Sequence, residues 1–62
     1  MQISLKAARI NAGLTQREAA VKAKIPVSTL FRWENGDAKI PAKPFLELCR
    51  IYKVGTDDIF LP

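Results

Sequence analysis

The sequence predicts an all-α fold, a compact bundle of about five short helices that forms a single domain over residues 1–62. Two observations lead to this prediction. Apolar residues recur three and four positions apart in several short segments, which is the period of an amphipathic helix. Gly, Pro and Asn residues mark short connections between these segments, and the sequence contains no hairpin pattern of alternating residues around a two-residue turn.

The first helix is predicted at about residues 4–12. Leu5, Ala8 and Ala12 recur at helical spacing, and Ser4 stands where a helix cap is expected. Gly13 follows at the position where the helix would end. These residues give the segment one apolar face with a defined start and end.

A capping box predicts the second helix at about residues 16–23. The Thr15 hydroxyl can accept a hydrogen bond from the amide three residues later, and Glu18 can reach back to the amide of Thr15. The apolar positions of this helix are small alanines: Ala19, Ala20 and Ala23. We expect Ala20 to lie where the second helix crosses the third, because small side chains let two helices approach closely.

The third helix is expected over residues 26–34 and to end at the Asn-Gly pair of residues 35–36. Pro26 disfavours helical geometry in the residue before it and suits the start of a new helix. Leu30 and Trp33 are three positions apart and would anchor the helix to the core. The other side of the helix would then carry Ser28, Phe31 and Arg32.

Two further helices are predicted in the C-terminal half. Pro44 is tolerated only in a first turn, so the fourth helix is expected to begin near Lys43. Its buried stripe would consist of Phe45, Leu48, Cys49 and Tyr52. Thr56 is a candidate cap for a short fifth helix, with two aspartates in its first turn.

Composition limits the class of function. Ten Lys and Arg residues against six Asp and Glu residues give a formal net charge of +4, which favours a polyanionic partner. Cys49 is the only cysteine, so one chain can form neither a disulfide nor a thiolate metal cluster, and a reducing cytoplasm is the expected setting. No apolar stretch approaches the roughly 20 residues that span a bilayer, so no membrane partner is expected. The chain lacks His and any apolar pair of carboxylates, so we expect neither an enzyme nor a site for a metal or cofactor.

Two short helices around a tight turn, at about residues 15–35, follow the plan of a DNA-binding helix-turn-helix. Here the sequence resembles the lambdoid phage repressor and Cro-like group, known as the XRE family of bacterial regulators. The resemblance rests on GLTQREAA (13–20), Ile25 in the turn, STLFRWENG (28–36) and, more loosely, KVGTDDIF (53–60). It implies a lambda-repressor-like domain that binds double-stranded DNA.

The resemblance implies that the third helix reads bases in the major groove through Val27, Ser28, Phe31 and Arg32. The guanidinium of Arg32 can bond guanine O6 and N7 together, although a phosphate contact or a solvated charge is the alternative. Val27 and Phe31 are apolar on this face, and thymine methyl groups are their natural partners. The alternative for Phe31 is packing into the protein core.

Contacts to phosphate, or support for such contacts, are expected from Gln16, Arg17, Thr29, Asn35 and Lys39. The start of the second helix suits a phosphate oxygen because its amides and partial positive charge point there. A solvated position is the alternative for Gln16 and for Lys39, and Lys43 would extend the contact more weakly. The resemblance also implies that Arg9 pairs with Glu34 and thereby holds the third helix in place.

The chain departs from the family pattern in the turn of the motif. Lys24 stands where the family often has Gly, and a left-handed backbone would cost a non-Gly residue about 1 kcal/mol there. Pro26 stands where a Ser or Thr commonly caps the recognition helix, and it offers no side-chain oxygen. Both departures affect the start of the third helix and therefore the side on which Val27 and Ser28 lie.

The function expected from this resemblance is that of a sequence-specific transcriptional regulator of phage or prophage Cro or repressor type, acting in the bacterial cytoplasm or nucleoid. It would bind a double-stranded DNA operator as a two-fold homodimer. Phe60 and Leu61 could contact the second subunit or the chain's own core. The alternative function is a protein-interaction module, such as an antitoxin, whose partner would cover an apolar patch of Val27, Phe31 and Trp33.

Overall fold

The computed structural model describes residues 2–61, which form four α-helices, one 3-10 turn and one short pair of strands. In chain order the elements are β1 (Ile3–Ser4), α1 (Leu5–Asn11), α2 (Gln16–Ala23), α3 (Val27–Asn35), α4 (Ala42–Tyr52), the 3-10 turn (Thr56–Asp58) and β2 (Ile59–Phe60). The predicted all-α bundle is confirmed, with four helices instead of about five.

The predicted caps of α1 and α2 are formed. The Ser4 hydroxyl accepts a hydrogen bond from the Ala7 amide at 3.0 Å. The Thr15 hydroxyl accepts from the Glu18 amide at 3.1 Å, and the Glu18 carboxylate accepts from the Thr15 amide at 2.9 Å. Hydrogen bonds from the Thr15 amide and hydroxyl lower the pKa of Glu18, because they favour its ionised form.

Helices α3 and α4 both follow a proline. Pro26 and Pro41 have extended backbones and precede the first helical residues, Val27 and Ala42. The third helix therefore begins and ends one residue later than predicted. Pro44 lies in the first turn of α4, as expected, because a proline there removes no intrahelical hydrogen bond.

The predicted fifth helix is only a three-residue 3-10 turn. Its cap residue is Gly55 and not Thr56, and the Asp58 carboxylate accepts a hydrogen bond from the Gly55 amide at 3.0 Å. The chain then pairs β2 with β1 in parallel, with Ile3 opposite Ile59. This pairing was not predicted, because strands of two residues are too short to show an alternating pattern.

The core lies between α2, α3 and α4 and is closed by α1 and the strand pair. Its fully buried large side chains are Leu5, Leu30 and Leu48. Ala19 and Ala20 are buried on α2, the helix that packs against both α3 and α4. Ala12, which we expected on the apolar face of the first helix, is exposed because α1 ends before it. None of the helices in residues 2–61 is long and apolar enough to cross a membrane.

Candidate nucleic-acid interface

Helix α3 has one buried face and one exposed face. Leu30 is fully buried and Trp33 is 8% exposed, so these two residues anchor the helix as predicted. The four residues expected to read bases all lie on the exposed face: Val27, Ser28, Phe31 and Arg32. Phe31 is 50% exposed and is not part of the core, so the alternative in which it packs inward is wrong.

The turn before α3 fixes the direction in which this exposed face points. Lys24 adopts the left-handed conformation expected of the family's Gly, with φ 58° and ψ 45°. The Lys24 and Ile25 amides donate to the carbonyls of Val21 and Ala20, which ends α2. Pro26 then caps α3 without a side-chain hydrogen bond. The two departures from the family pattern are thus accommodated, and Val27 and Ser28 are the first two residues of α3.

The close approach of α2 to α3 depends on small side chains. Ala20 is 2% exposed and lies on the side of α2 that faces the core. A larger residue there would push the two helices apart, since interaxial distances of 8 to 10 Å depend on the side chains at the contact. Ala20 is buried as expected, and its place at the crossing of α2 with α3 stays a prediction.

The predicted pair of Arg9 and Glu34 is formed and links α1 to the end of α3. Arg9 Nε donates to Glu34 Oε2 at 2.8 Å, and the Glu34 side chain is only 1% exposed. Arg9 Nη1 also donates to the Leu14 carbonyl at 2.8 Å, a contact with the α1–α2 loop that the sequence did not reveal. These bonds hold the C-terminal end of α3 against two preceding segments.

Gln16 takes part in the same network. Its Nε2 donates to Glu34 Oε1 at 2.9 Å, and the side chain is half-buried. The sequence predicts a phosphate contact for Gln16 and does not reveal this bond, because Gln16 and Glu34 lie 18 positions apart and only the fold brings them together. The bond leaves the second N–H of the amide group and the first backbone amides of α2 for other acceptors.

Tyr52 of α4 lies beside this network. Its hydroxyl is buried and has no hydrogen-bond partner within residues 2–61. Burial, with a further contribution from the Glu34 carboxylate, raises the pKa of Tyr52 to about 12, while Arg9 acts in the opposite direction. The phenol is therefore neutral over the physiological range of pH.

The remaining residues assigned to phosphate lie on α2, on α3 and in the loop after α3. Arg17 lies on the first turn of α2, Asn35 ends α3, and Lys39 lies in the loop between α3 and α4; all three are exposed. Thr29 is half-buried on α3. Among residues 2–61, neither Arg17, Arg32 nor Lys39 forms an ion pair, so their charges are free to attract an anionic ligand. The same part of the chain contains no group of His, Cys, Asp or Glu side chains that could hold a metal ion.

One comparison with known proteins agrees with this fold. A family model described as helix-turn-helix matches residues 5–59, which include all four helices. No curated protein and no solved structure matches the chain. The matched range covers most of the 62 residues, and its domain type is a DNA-binding regulatory domain that is not normally enzymatic. The chain therefore belongs to the XRE-type helix-turn-helix family and is a DNA-binding regulator.

Proposed function

We propose that this protein is a sequence-specific transcriptional regulator of phage or prophage Cro or repressor type. The observation that carries the proposal is the exposed face of α3, where Val27, Ser28, Phe31 and Arg32 project from a helix held from behind by Leu30 and Trp33. A helix that reads a major groove must be held in place by its buried side chains and must present exposed side chains to the base edges.

Each of these contacts has its own chemistry. Arg32 reads guanine through its planar pair of donors, while Val27 and Phe31 contact thymine methyl groups. Ser28 donates or accepts without dictating one base. Gln16, Arg17, Thr29, Asn35 and Lys39 contact or support the sugar-phosphate backbone and fix the position of α3 on the duplex.

The regulator acts by occupying its operator and excluding polymerase or a competing regulator. We propose that it binds as a homodimer, whose third helices enter successive major grooves about one helical turn apart. Phe60 of β2 and Leu61, which follows it, are both exposed and are the apolar residues available to a second subunit at the C-terminal end. The alternative patch for a protein partner loses one of its three members, because Trp33 is buried.

Selection of bound sites from random duplex DNA tests the proposed function. We expect a two-fold symmetric consensus, and an affinity that falls steeply as salt rises, because phosphate contacts release counterions. Binding that is insensitive both to salt and to DNA sequence would contradict the proposal and favour a protein-interaction module. Analytical ultracentrifugation with the selected duplex then gives the number of chains bound.

A further inference from the structure

Three lysines border a groove that lies outside the exposed face of α3. The groove has a volume of about 320 Å³ and lies between the end of α2 and the first half of α4. Lys22, Lys24 and Lys43 line it together with the apolar side chains of Ile25 and Pro44. We call this feature the lysine groove.

The lysine groove carries an excess of positive charge. Lys22, Lys24 and Lys43 are all exposed, and none of them forms an ion pair within the described residues 2–61. Glu47 is the one acidic residue lining the groove, and its carboxylate pairs with Arg50 on the next turn of α4. The Glu47 carboxylate also attracts Lys24, so three lysines face a single carboxylate and the groove keeps a net positive charge.

The groove is next to the residues proposed to read bases. Lys24 ends α2, and the chain enters α3 at Val27 after only two further residues. A helix whose first residues contact base edges in a major groove has a sugar-phosphate strand on each side. The lysine groove therefore borders the N-terminal end of the recognition helix, where one of these strands would pass.

We propose that the lysine groove binds the sugar-phosphate backbone of the strand beside the N-terminal end of α3. The three ammonium groups neutralise phosphates, and a deoxyribose packs on the apolar floor formed by Ile25 and Pro44. The alternation of charged phosphate and apolar sugar matches a groove with a charged rim and an apolar floor. The assignment rests on the proposed DNA-binding function and adds Lys22 and Lys24 to the residues expected to contact DNA.

A pair of charge-matched double variants tests the assignment. Lys22→Gln with Lys24→Gln removes two charges from the groove, whereas Lys6→Gln with Lys53→Gln removes two exposed charges outside it. Affinity for one duplex is measured by fluorescence anisotropy over a series of salt concentrations. Log affinity falls as log salt rises, and each lost phosphate contact should make this slope less steep by about 0.9.

We expect the groove variant to lose about 2 from this slope and the control variant to lose much less. Lys43→Gln alone should lower the slope by about 1. Equal slopes for the two double variants would overturn the proposal, and this would also be the result if the groove received an acidic protein segment instead of DNA. If the wild-type protein itself shows no salt-dependent binding to DNA, the proposed function fails and not only the assignment of the groove.

Discussion

At the scale of the residue, the exposure of Phe31 is unexpected for a large apolar side chain in so small a domain. An aromatic ring that is half exposed on a helix contributes less to a small core than a buried one would. Contact with a thymine methyl group would remove that apolar surface from water when DNA binds. We therefore expect Phe31 to contribute to binding and not to stability.

Replacing thymine by uracil throughout the selected operator tests this role of Phe31. Loss of one buried methyl group is worth about 0.8 kcal/mol, or roughly a fourfold weakening of wild-type affinity. The variant Phe31→Ala should discriminate the thymine and uracil duplexes less than the wild type by about this factor, because the contact made by the ring is missing and only that of Val27 remains. A variant that discriminates the two duplexes as strongly as the wild type would show that Phe31 contacts no methyl group.

Arg32 is distinguished from a phosphate ligand by its effect on base preference. Arg32→Ala should cost about 1 to 3 kcal/mol at one guanine position of the operator and much less on unrelated duplexes. Arg17→Ala is the matched control, because that side chain is expected to contact phosphate and should weaken binding to all sequences alike. Competition gel shifts with operators substituted at single positions measure both effects. A uniform loss for Arg32→Ala would show that Arg32 is a phosphate ligand.

Tyr52 gives a prediction that concerns pH. The folded state raises the pKa of its phenol from 10 to about 12, so the neutral form is favoured and its contribution to stability is constant below pH 10. That contribution is lost as pH rises from 10 to 12. Tyr52 is the only tyrosine, so ultraviolet absorbance of tyrosinate follows its titration directly. An inflection near pH 10 in the folded protein would contradict the buried position of the hydroxyl.

The variant Tyr52→Phe separates the hydroxyl from the ring. It removes a buried polar group without a protein partner, so the free energy of unfolding near neutral pH should stay within about 1 kcal/mol of wild type or rise. The part of the alkaline instability that comes from the phenol should disappear. Urea unfolding at pH 8 and at pH 11, followed by circular dichroism, checks both expectations.

At the scale of the element, helix ends could be predicted from the sequence because their causes are local. Ser4 and Thr15 each lie three residues before the amide that they cap, so both caps can be predicted from the local sequence. The strand pair could not be predicted, because it joins Ile3 to Ile59 from opposite ends of the chain. The fifth element was predicted as a short helix capped by Thr56, and its form was wrong. It is a three-residue 3-10 turn in which the Gly55 amide donates to the Asp58 carboxylate.

Local strain remains at the ends of two helices. Lys24 and Lys53 end α2 and α4 with positive φ values of 58° and 59°, a conformation that costs a residue with a Cβ about 1 kcal/mol. The folded state keeps both strained residues because the packing of the rest of the core outweighs this cost. Because Lys24 borders the lysine groove, Lys53 is the better position at which to measure the strain alone.

The variant Lys53→Gly should raise the free energy of unfolding by a few tenths of a kcal/mol to about 1 kcal/mol, because Gly adopts a positive φ without strain. Lys22→Gly is the control, since the same change inside the last turn of α2 should destabilise by about 1 kcal/mol. Urea denaturation under identical conditions gives both values. Equal destabilisation by the two variants would mean that the left-handed conformation of Lys53 carries no strain.

At the scale of the whole molecule, one network of polar side chains joins three helices. Glu34 of α3 accepts hydrogen bonds from Arg9 of α1 and from Gln16 of α2, and the Tyr52 ring of α4 lies beside it. The family resemblance alone predicted the ion pair of Arg9 and Glu34. The participation of Gln16 depends on how α2 crosses α3, which no local pattern in the sequence specifies. The network couples the position of the recognition helix to the start of the helix proposed to contact phosphate.

Removing either partner of the buried pair should be more harmful than removing both. Glu34→Ala leaves the charge of Arg9 buried without a partner, which typically costs about 3 to 5 kcal/mol. A core this small rarely provides more stability than about 3 to 5 kcal/mol, so much of the Glu34→Ala population should be unfolded. The double variant Arg9→Met with Glu34→Leu buries no charge and should retain the fold with a far smaller loss of stability.

Urea unfolding followed by the fluorescence of Trp33, the only tryptophan, measures the wild type and both variants. If the double variant is as unstable as Glu34→Ala, the ion pair itself stabilises the molecule. If the double variant is folded but binds the operator more weakly, the network positions α3 for DNA in addition to its part in folding.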